Sequence, residues 1–196
     1  MSPDRIRERY ALIQETAGPG VTIVAATKYV SVADMARLVE AGIPVVGENR
    51  AQDLERKHAE YGDAFRWHFI GRLQSNKVKV VNRICELVHS LESESAARKL
   101  EIPALVEVNL SAEESKGGVA PGDLPHLLEL ADVRGLMTMP PPADDPETSR
   151  PYFRRLRELA EQHGLAELSM GTSQDWRVAI DEGATLMRLG STLYVD

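Results

Sequence analysis

Short β-rich apolar runs recur along this chain with helical patterns between them, and that alternation restricts its possible folds more than any single residue does. The runs are VTIVAAT (21–27), PVVGEN (44–49), FRWHFIG (65–71), ELVHSL (86–91), ALVEVNL (104–110), VRGLMTM (133–139), ELSMG (167–171) and TLMRLG (185–190). Helical patterns lie at 32–41, 50–61, 124–131, 151–163 and 175–182, and one more at 5–16 precedes the first run. Strands that alternate with helices are parallel, because a parallel pair needs a long crossover and a helix supplies it. Eight such units predict an α/β fold, a single (β/α)8 barrel of the TIM type with an extra N-terminal helix. The rival is an open doubly wound sheet, which would carry a glycine-rich dinucleotide loop after its first strand. The chain has no GxGxxG.

With 196 residues, 43% of them hydrophobic, the chain has room for one good core, so one domain over 1–196 is expected. The length falls just under the usual lower limit for this barrel, ~200 residues, which calls for short loops and helices. The Pro-rich MPPPADDPETS from Met139 reads as a loop, since too little chain follows it for a second domain. Thirty acidic against 23 basic residues give a net charge of −7, which repels phosphate backbones and anionic membranes; neither nucleic acid nor membrane is an expected partner. Cys85 is the one cysteine, which excludes an internal disulfide and any zinc site needing two or more thiolates. The N-terminus is charged where a signal peptide needs an apolar run, and no stretch approaches the ~20 apolar residues of a membrane span. A soluble, cytoplasmic protein is expected. The five histidines show no HxH or HExxH spacing, and no metal site is expected.

Lys28 closes the first run, and a period of two puts Thr22, Val24, Ala26 and Lys28 on one face, the interior face of a barrel. A lysine at the C-terminal rim stands where such barrels keep their active sites, and partial desolvation there favours the neutral amine that attacks an aldehyde. The plainer reading is a strand-end lysine in solvent. By the same parity Tyr29 points away from the interior. GTSQD opens the helix after the seventh run and RLGST closes the eighth, and loops there bind phosphate in many barrels. Gly171, Thr172, Ser173, Gly190 and Ser191 are the candidates, although Thr172 and Ser173 could simply cap the helix. Arg188 shares parity with Gly190 and points inward, where it needs a partner: a core acid, or the pyridine nitrogen of pyridoxal 5′-phosphate (PLP) if that cofactor is bound. A permanent cation at that nitrogen opposes ring protonation and makes a poor electron sink. Asn49 and His68 stand near the ends of the second and third runs. His68 is counted with the cofactor residues, although a lone histidine on an apolar strand is more often a satisfied core residue. SAEESKGG (111–118) completes no nucleophile or phosphate-loop pattern and reads as a solvated loop.

VAATKY, GENRAQ, WHFIGRLQSNK, VNLSAEESKGG, RGLMTM, LSMGTSQD and EGATLMRLGST together resemble the pyridoxal phosphate homeostasis proteins, whose fold is similar to the N-terminal barrel of alanine racemase. The resemblance spans nearly the whole chain. It implies Lys28 as the Schiff-base residue for PLP, with Asn49, Met137, Ser173, Arg188, Gly190 and Ser191 around the cofactor. It further implies Arg188 at the pyridine nitrogen and the last two loops at the phosphate. Thr172 stands where relatives often carry Met, and Val30 where many carry a second lysine, so a lysine relay beside Lys28 is not expected.

Three functions compete. A carrier or regulator of PLP holds the cofactor exchangeably, gives it up to other proteins, PLP-dependent apo-enzymes among the candidates, or to free amines, and shows little turnover; the resemblance favours it. An amino-acid racemase-like enzyme needs a base on each face of the α-carbon. In the racemase the second base, a tyrosine, comes from a further domain, and Tyr194 is the only awkward candidate here. A cofactor-free aldolase using Lys28 lacks the resemblance and would show no visible absorbance. A monomer is expected, because the racemase dimer relies on that further domain.

Overall fold

The computed structural model describes residues 2–111 and 117–194. Helix α1 (Pro3–Ala17) leads into the alternation: β1 (Thr22–Ala26), α2 (Met35–Ala41), β2 (Val45–Glu48), α3 (Ala51–Tyr61), β3 (Arg66–Phe69), α4 (Val78–Ile84), β4 (Leu87–Leu91) and α5 (Glu94–Ala97). It continues with β5 (Ala104–Glu107), α6 (Leu124–Leu128), β6 (Val133–Met137), α7 (Arg150–Gln162), β7 (Glu167–Ser169), α8 (Trp176–Asp181), β8 (Leu186–Leu189) and α9 (Ser191–Tyr194). The strands close in sequence order, and β1 pairs parallel with both β2 and β8. This is the expected (β/α)8 barrel with its extra N-terminal helix.

Alternation along each strand divides the core into two layers. Val24, Val45, Leu87, Leu105, Met137 and Leu186 pack together inside the barrel. Their strand neighbours Ile23, Val46, Val88, Val106, Leu136 and Met187 face the helices in the larger core. The interior is crowded enough to require glycine at position 47, where a Cβ would meet Val24 Cγ1 and Ile70 Cδ1 at 2.9 Å each. Helix α7 shows why such segments are helical: Phe153, Leu156, Leu159 and Ala160 form its buried stripe, and Pro151 sits in its first turn, where its missing N–H costs nothing. On its other side Arg150, Arg154 and Arg157 converge on Glu182, just past α8.

The Pro-rich stretch is a loop, as expected. It ends in a short turn at Pro146–Ser149, and Ser149 Oγ donates to Asp175 Oδ2 at 2.8 Å, tying the loop after β6 to the loop after β7. Residues 112–116, most of the SAEESKGG segment, lie outside the described residues. Among the described residues no helix is long and apolar enough to cross a membrane, and no group of three or more His, Cys, Asp or Glu is placed to hold a metal ion.

Candidate functional site

A cavity of about 530 Å³ opens at the C-terminal rim of the barrel. It is lined by Lys28, Asn49, Thr172, Ser173, Arg188, Gly190 and Ser191, seven of the residues singled out above. Ala26 and Lys28 both face it, as the period of two requires. The strand itself stops at Ala26, however, and the chain then turns, with Val30 N donating to Thr27 O at 2.9 Å. Alternation ends with the strand. Tyr29 therefore does not point away; it lines the same cavity, 89% exposed, with Lys28 Nζ 4.7 Å from its ring centroid.

A buried polar pair supports that turn from behind. Glu48, fully buried, accepts from Thr27 Oγ1 at 2.6 Å and from Lys57 Nζ at 2.5 Å, and Lys57 Nζ also donates to Thr27 O at 2.7 Å. Helix α3 thus reaches under β1 and β2 to clamp the residue before Lys28. Removing one member of a buried pair strands the other charge. Lys57→Met should therefore destabilise the fold by about 3–5 kcal/mol, and adding Glu48→Leu should restore much of the loss. Urea titrations of both variants check this; an unchanged midpoint for Lys57→Met would show that the pair carries no net stabilisation.

Arg188 enters the barrel as its parity predicts. Its Nη1 donates to Ser169 Oγ, and its Nη2 to Thr138 O at 3.2 Å and Met139 Sδ at 3.4 Å. No carboxylate of the described residues lies within ion-pair distance, so the core-acid partner weighed above is not what holds it. Burial lowers its pKa to about 10, against the opposing pull of Glu107 and Asp175, and the group stays cationic at neutral pH.

The two glycine-containing loops are stitched together. Ser173 Oγ accepts from Gly190 N at 3.2 Å and Thr192 N at 3.1 Å, while Thr172 donates through N and Oγ1 to Asp175 Oδ1 at 2.7 and 3.0 Å. Neither Thr172 nor Ser173 caps α8; each is spent on loop geometry. Gly171 is buried just below them with φ +91°, a region open to glycine, and a Cβ there would meet Ala179 Cβ at 2.6 Å.

Besides Gly171, which lies below the cavity lining, two expected cofactor residues sit too low to reach the cavity. Met137 is packed in the interior layer, and Met139, two residues on, lines the cavity instead. His68 faces the opposite, N-terminal end, where it lines a second cavity of about 370 Å³ with Arg66, Glu86, Arg134 and Glu167; Ile70 takes its place at the mouth. Both ring nitrogens of His68 are satisfied, by His89 and by Glu86. Parity gives the face a side chain occupies, not its height along the barrel.

Sequence reasoning missed Glu48, Lys57, His89 and Ser169. A charged residue inside PVVGEN and the HS inside ELVHSL were the available signals, since polar groups in apolar strands need partners. Among the described residues, three buried side-chain polar atoms have no hydrogen-bond partner: Glu48 Oε2, Asn49 Oδ1 and Tyr194 Oη. Asn49 and Tyr194 line the mouth cavity. Burial, and then Glu48, hold the Tyr194 phenol well above its usual range.

The family model of the alanine racemase N-terminal domain matches residues 1–196. A pyridoxal phosphate homeostasis protein of Aquifex aeolicus is 41% identical over 97% of this chain and 94% of its own length. Its counterpart from Pseudomonas aeruginosa is 38% identical over 97% and 90%. Among solved structures, PipY of Synechococcus elongatus, determined with PLP bound, superposes with a TM-score of 0.86 at 32% identity, covering 96% of this chain and 99% of PipY. Alanine racemase from Corynebacterium glutamicum, at 17% identity and a TM-score of 0.77, shares the fold over 99% of this chain and 61% of its own. Matched along its whole length, the chain belongs to the alanine racemase N-terminal domain family, among the pyridoxal phosphate homeostasis proteins.

Proposed function

We propose that this chain binds PLP in the mouth cavity, with Lys28 as its covalent anchor, and serves PLP homeostasis in the cytoplasm as a monomeric carrier or regulator that delivers to apo-enzymes. All of 1–196 acts as one unit in this reading. The observation that carries it is the convergence on one cavity of an exposed amine, a buried guanidinium and a pair of loop N–H groups aimed at one oxygen. Each matches a part of the cofactor. PLP supplies an aldehyde for an amine, a pyridine nitrogen for a donor and a phosphate for N–H groups. Lys28 is the amine and Arg188 the donor, while Asn49 Oδ1, buried without a partner, has acceptor capacity to spare. Ser173 Oγ already collects two backbone N–H bonds, and a phosphate dianion is a stronger acceptor than a hydroxyl for the same donors.

Two features argue against amino-acid turnover. Arg188 keeps the ring nitrogen from taking a proton, which weakens the cofactor as an electron sink. Tyr194 lines the cavity, but burial holds its phenol protonated at neutral pH, so it has no free site to take the α-proton. The racemase-like alternative therefore rests on Tyr194 and on Tyr29, which lines the same cavity beside Lys28, and one experiment separates the readings. Deuterium exchange at the α-carbon of a panel of L-amino acids, followed by NMR, should not exceed the Lys28→Ala control, while added amines remove PLP from the loaded protein. Lys28-dependent exchange or racemisation at ~1 s⁻¹ or faster, as enzymes achieve, would overturn the carrier reading.

A further inference from the structure

A file of hydrogen bonds runs along the barrel axis from the mouth to the floor. Arg188 Nη1 donates to Ser169 Oγ, which lies 2.7 Å from His89 Nδ1. His89 Nε2 lies 2.9 Å from His68 Nδ1, and His68 Nε2 lies 2.9 Å from Glu86 Oε1. Glu86 opens on the floor cavity, where Arg66 Nε also donates to it at 2.8 Å. Strands β3, β4, β7 and β8 thus contribute one interior polar group each, and together these cross the apolar layer of Val24, Val45, Leu87, Leu105, Met137 and Leu186.

The two ends of this file leave room for one proton order. A guanidinium has no acceptor, so Ser169 Oγ must accept from Arg188. Burial pushes the Glu86 carboxyl up, but hydrogen bonds from Arg66 and His68 together hold it below the usual carboxylate range, so it is ionised and can only accept. His68 must then carry its hydrogen on Nε2. Burial keeps both rings neutral, so His68 Nδ1 accepts, His89 must carry its hydrogen on Nε2, and His89 Nδ1 accepts from the Ser169 hydroxyl. Every donor points from mouth to floor.

We propose that His89 and His68 are positioning residues for Arg188: through Ser169 they fix the guanidinium, and they carry the protonation state of the barrel floor to the ligand end. Its consequence for PLP rests on the reading above; the proton order itself does not. Net uptake of one proton at the floor makes His68 an imidazolium with hydrogen on both nitrogens. His89 must then accept at Nε2 and hold its hydrogen on Nδ1. Ser169 receives from His89 and Arg188 at once, and its own hydrogen loses its acceptor. The charged and titratable groups facing His68 are Arg66 on its own strand, Glu86 and His89 from β4 and its approach, and Arg134 and Glu167 across the floor cavity. Those facing His89 are His68 and Arg188.

Two measurements test this. In the protein without PLP, labelled with 15N-histidine, long-range proton–nitrogen NMR should show both rings as Nε2–H at neutral pH. As pH falls below the ordinary histidine range, His89 should switch to Nδ1–H while His68 titrates. A neutral-pH Nδ1–H form of His89, or a His89 tautomer indifferent to the titration of His68, would overturn the proposal. In the PLP-loaded protein, the absorption band should shift between pH 8 and 5 with the midpoint found for His68 by NMR. In His89→Asn, which keeps an acceptor for Ser169 but cuts the contact with His68, that shift should vanish. The same shift in His89→Asn would count against the relay. The tautomer measurement needs no variant, so it decides even where His89→Asn does not fold. A protein that shows the expected tautomers but takes up no PLP would sink the proposed function and leave the relay standing.

Discussion

Borohydride reduction of the PLP-loaded protein should leave the cofactor on the peptide containing Lys28, and Lys28→Ala should carry no label and show no visible absorption band. The reason is geometric. Of the described lysines, Lys28 is the one that lines the mouth cavity, and it shares that cavity with Arg188 and the loops around Ser173 and Gly190. Lys57 lies close behind, but its ammonium is buried and committed to Glu48 Oε1 and Thr27 O. Moving that proton-bearing group to an aldehyde would break a buried pair. Residual binding to Lys28→Ala should persist through Arg188 and the loops, and should wash out on dialysis because nothing covalent holds it. Label on Lys77, or label that survives Lys28→Ala, would move the site elsewhere.

Much of this arrangement is legible in the amino-acid sequence, and the gaps have physical causes. All eight strands fall inside the eight apolar runs, because the alternation of β-rich and helical patterns is a local property. Helices α4 and α5 are not among the helical patterns read there, although α2, α6 and α8, none of them longer than α4, are. Parity placed Ala26, Lys28 and Arg188 on the interior face. It erred at Tyr29, because the hydrogen-bonded ladder stops at Ala26 and alternation has no meaning beyond it. It was also blind to height: His68 and Ile70 share a face, yet one lines the floor and the other the mouth. Partners were the least visible. Glu48 and Lys57 are nine residues apart, and Ser169 and His89 eighty, and only the closed barrel and the helix packed against it bring them within hydrogen-bond reach.

Arg188→Ala should loosen PLP by roughly 10- to 100-fold and shift its absorption band while leaving the bond to Lys28 intact. In the proposed binding mode the lost interaction is a hydrogen bond from a charged donor, of the order of 1.5–3 kcal/mol, to the ring rather than the aldehyde. Folding should survive the change. Arg188 has no carboxylate partner within ion-pair distance among the described residues, so its removal strands no opposite charge. What it leaves behind is neutral: Thr138 O and Met139 Sδ lose a donor, and Ser169 still has His89. A cost of about 1–3 kcal/mol follows from the carbonyl left without that donor. The electrostatics of the mouth should change as well. Burial and then Glu92 already raise the Glu107 carboxyl, and Arg188 is the first of the cations that hold it down. Without that cation Glu107 protonates at higher pH, so the pH dependence of PLP binding in the variant should begin at less acidic pH than in the wild type. Equilibrium dialysis and absorption spectra from pH 5 to 8, run beside a urea titration, separate these effects. Unfolding without a stage of weakened binding would show that Arg188 serves the core instead, and unchanged affinity would remove it from the site.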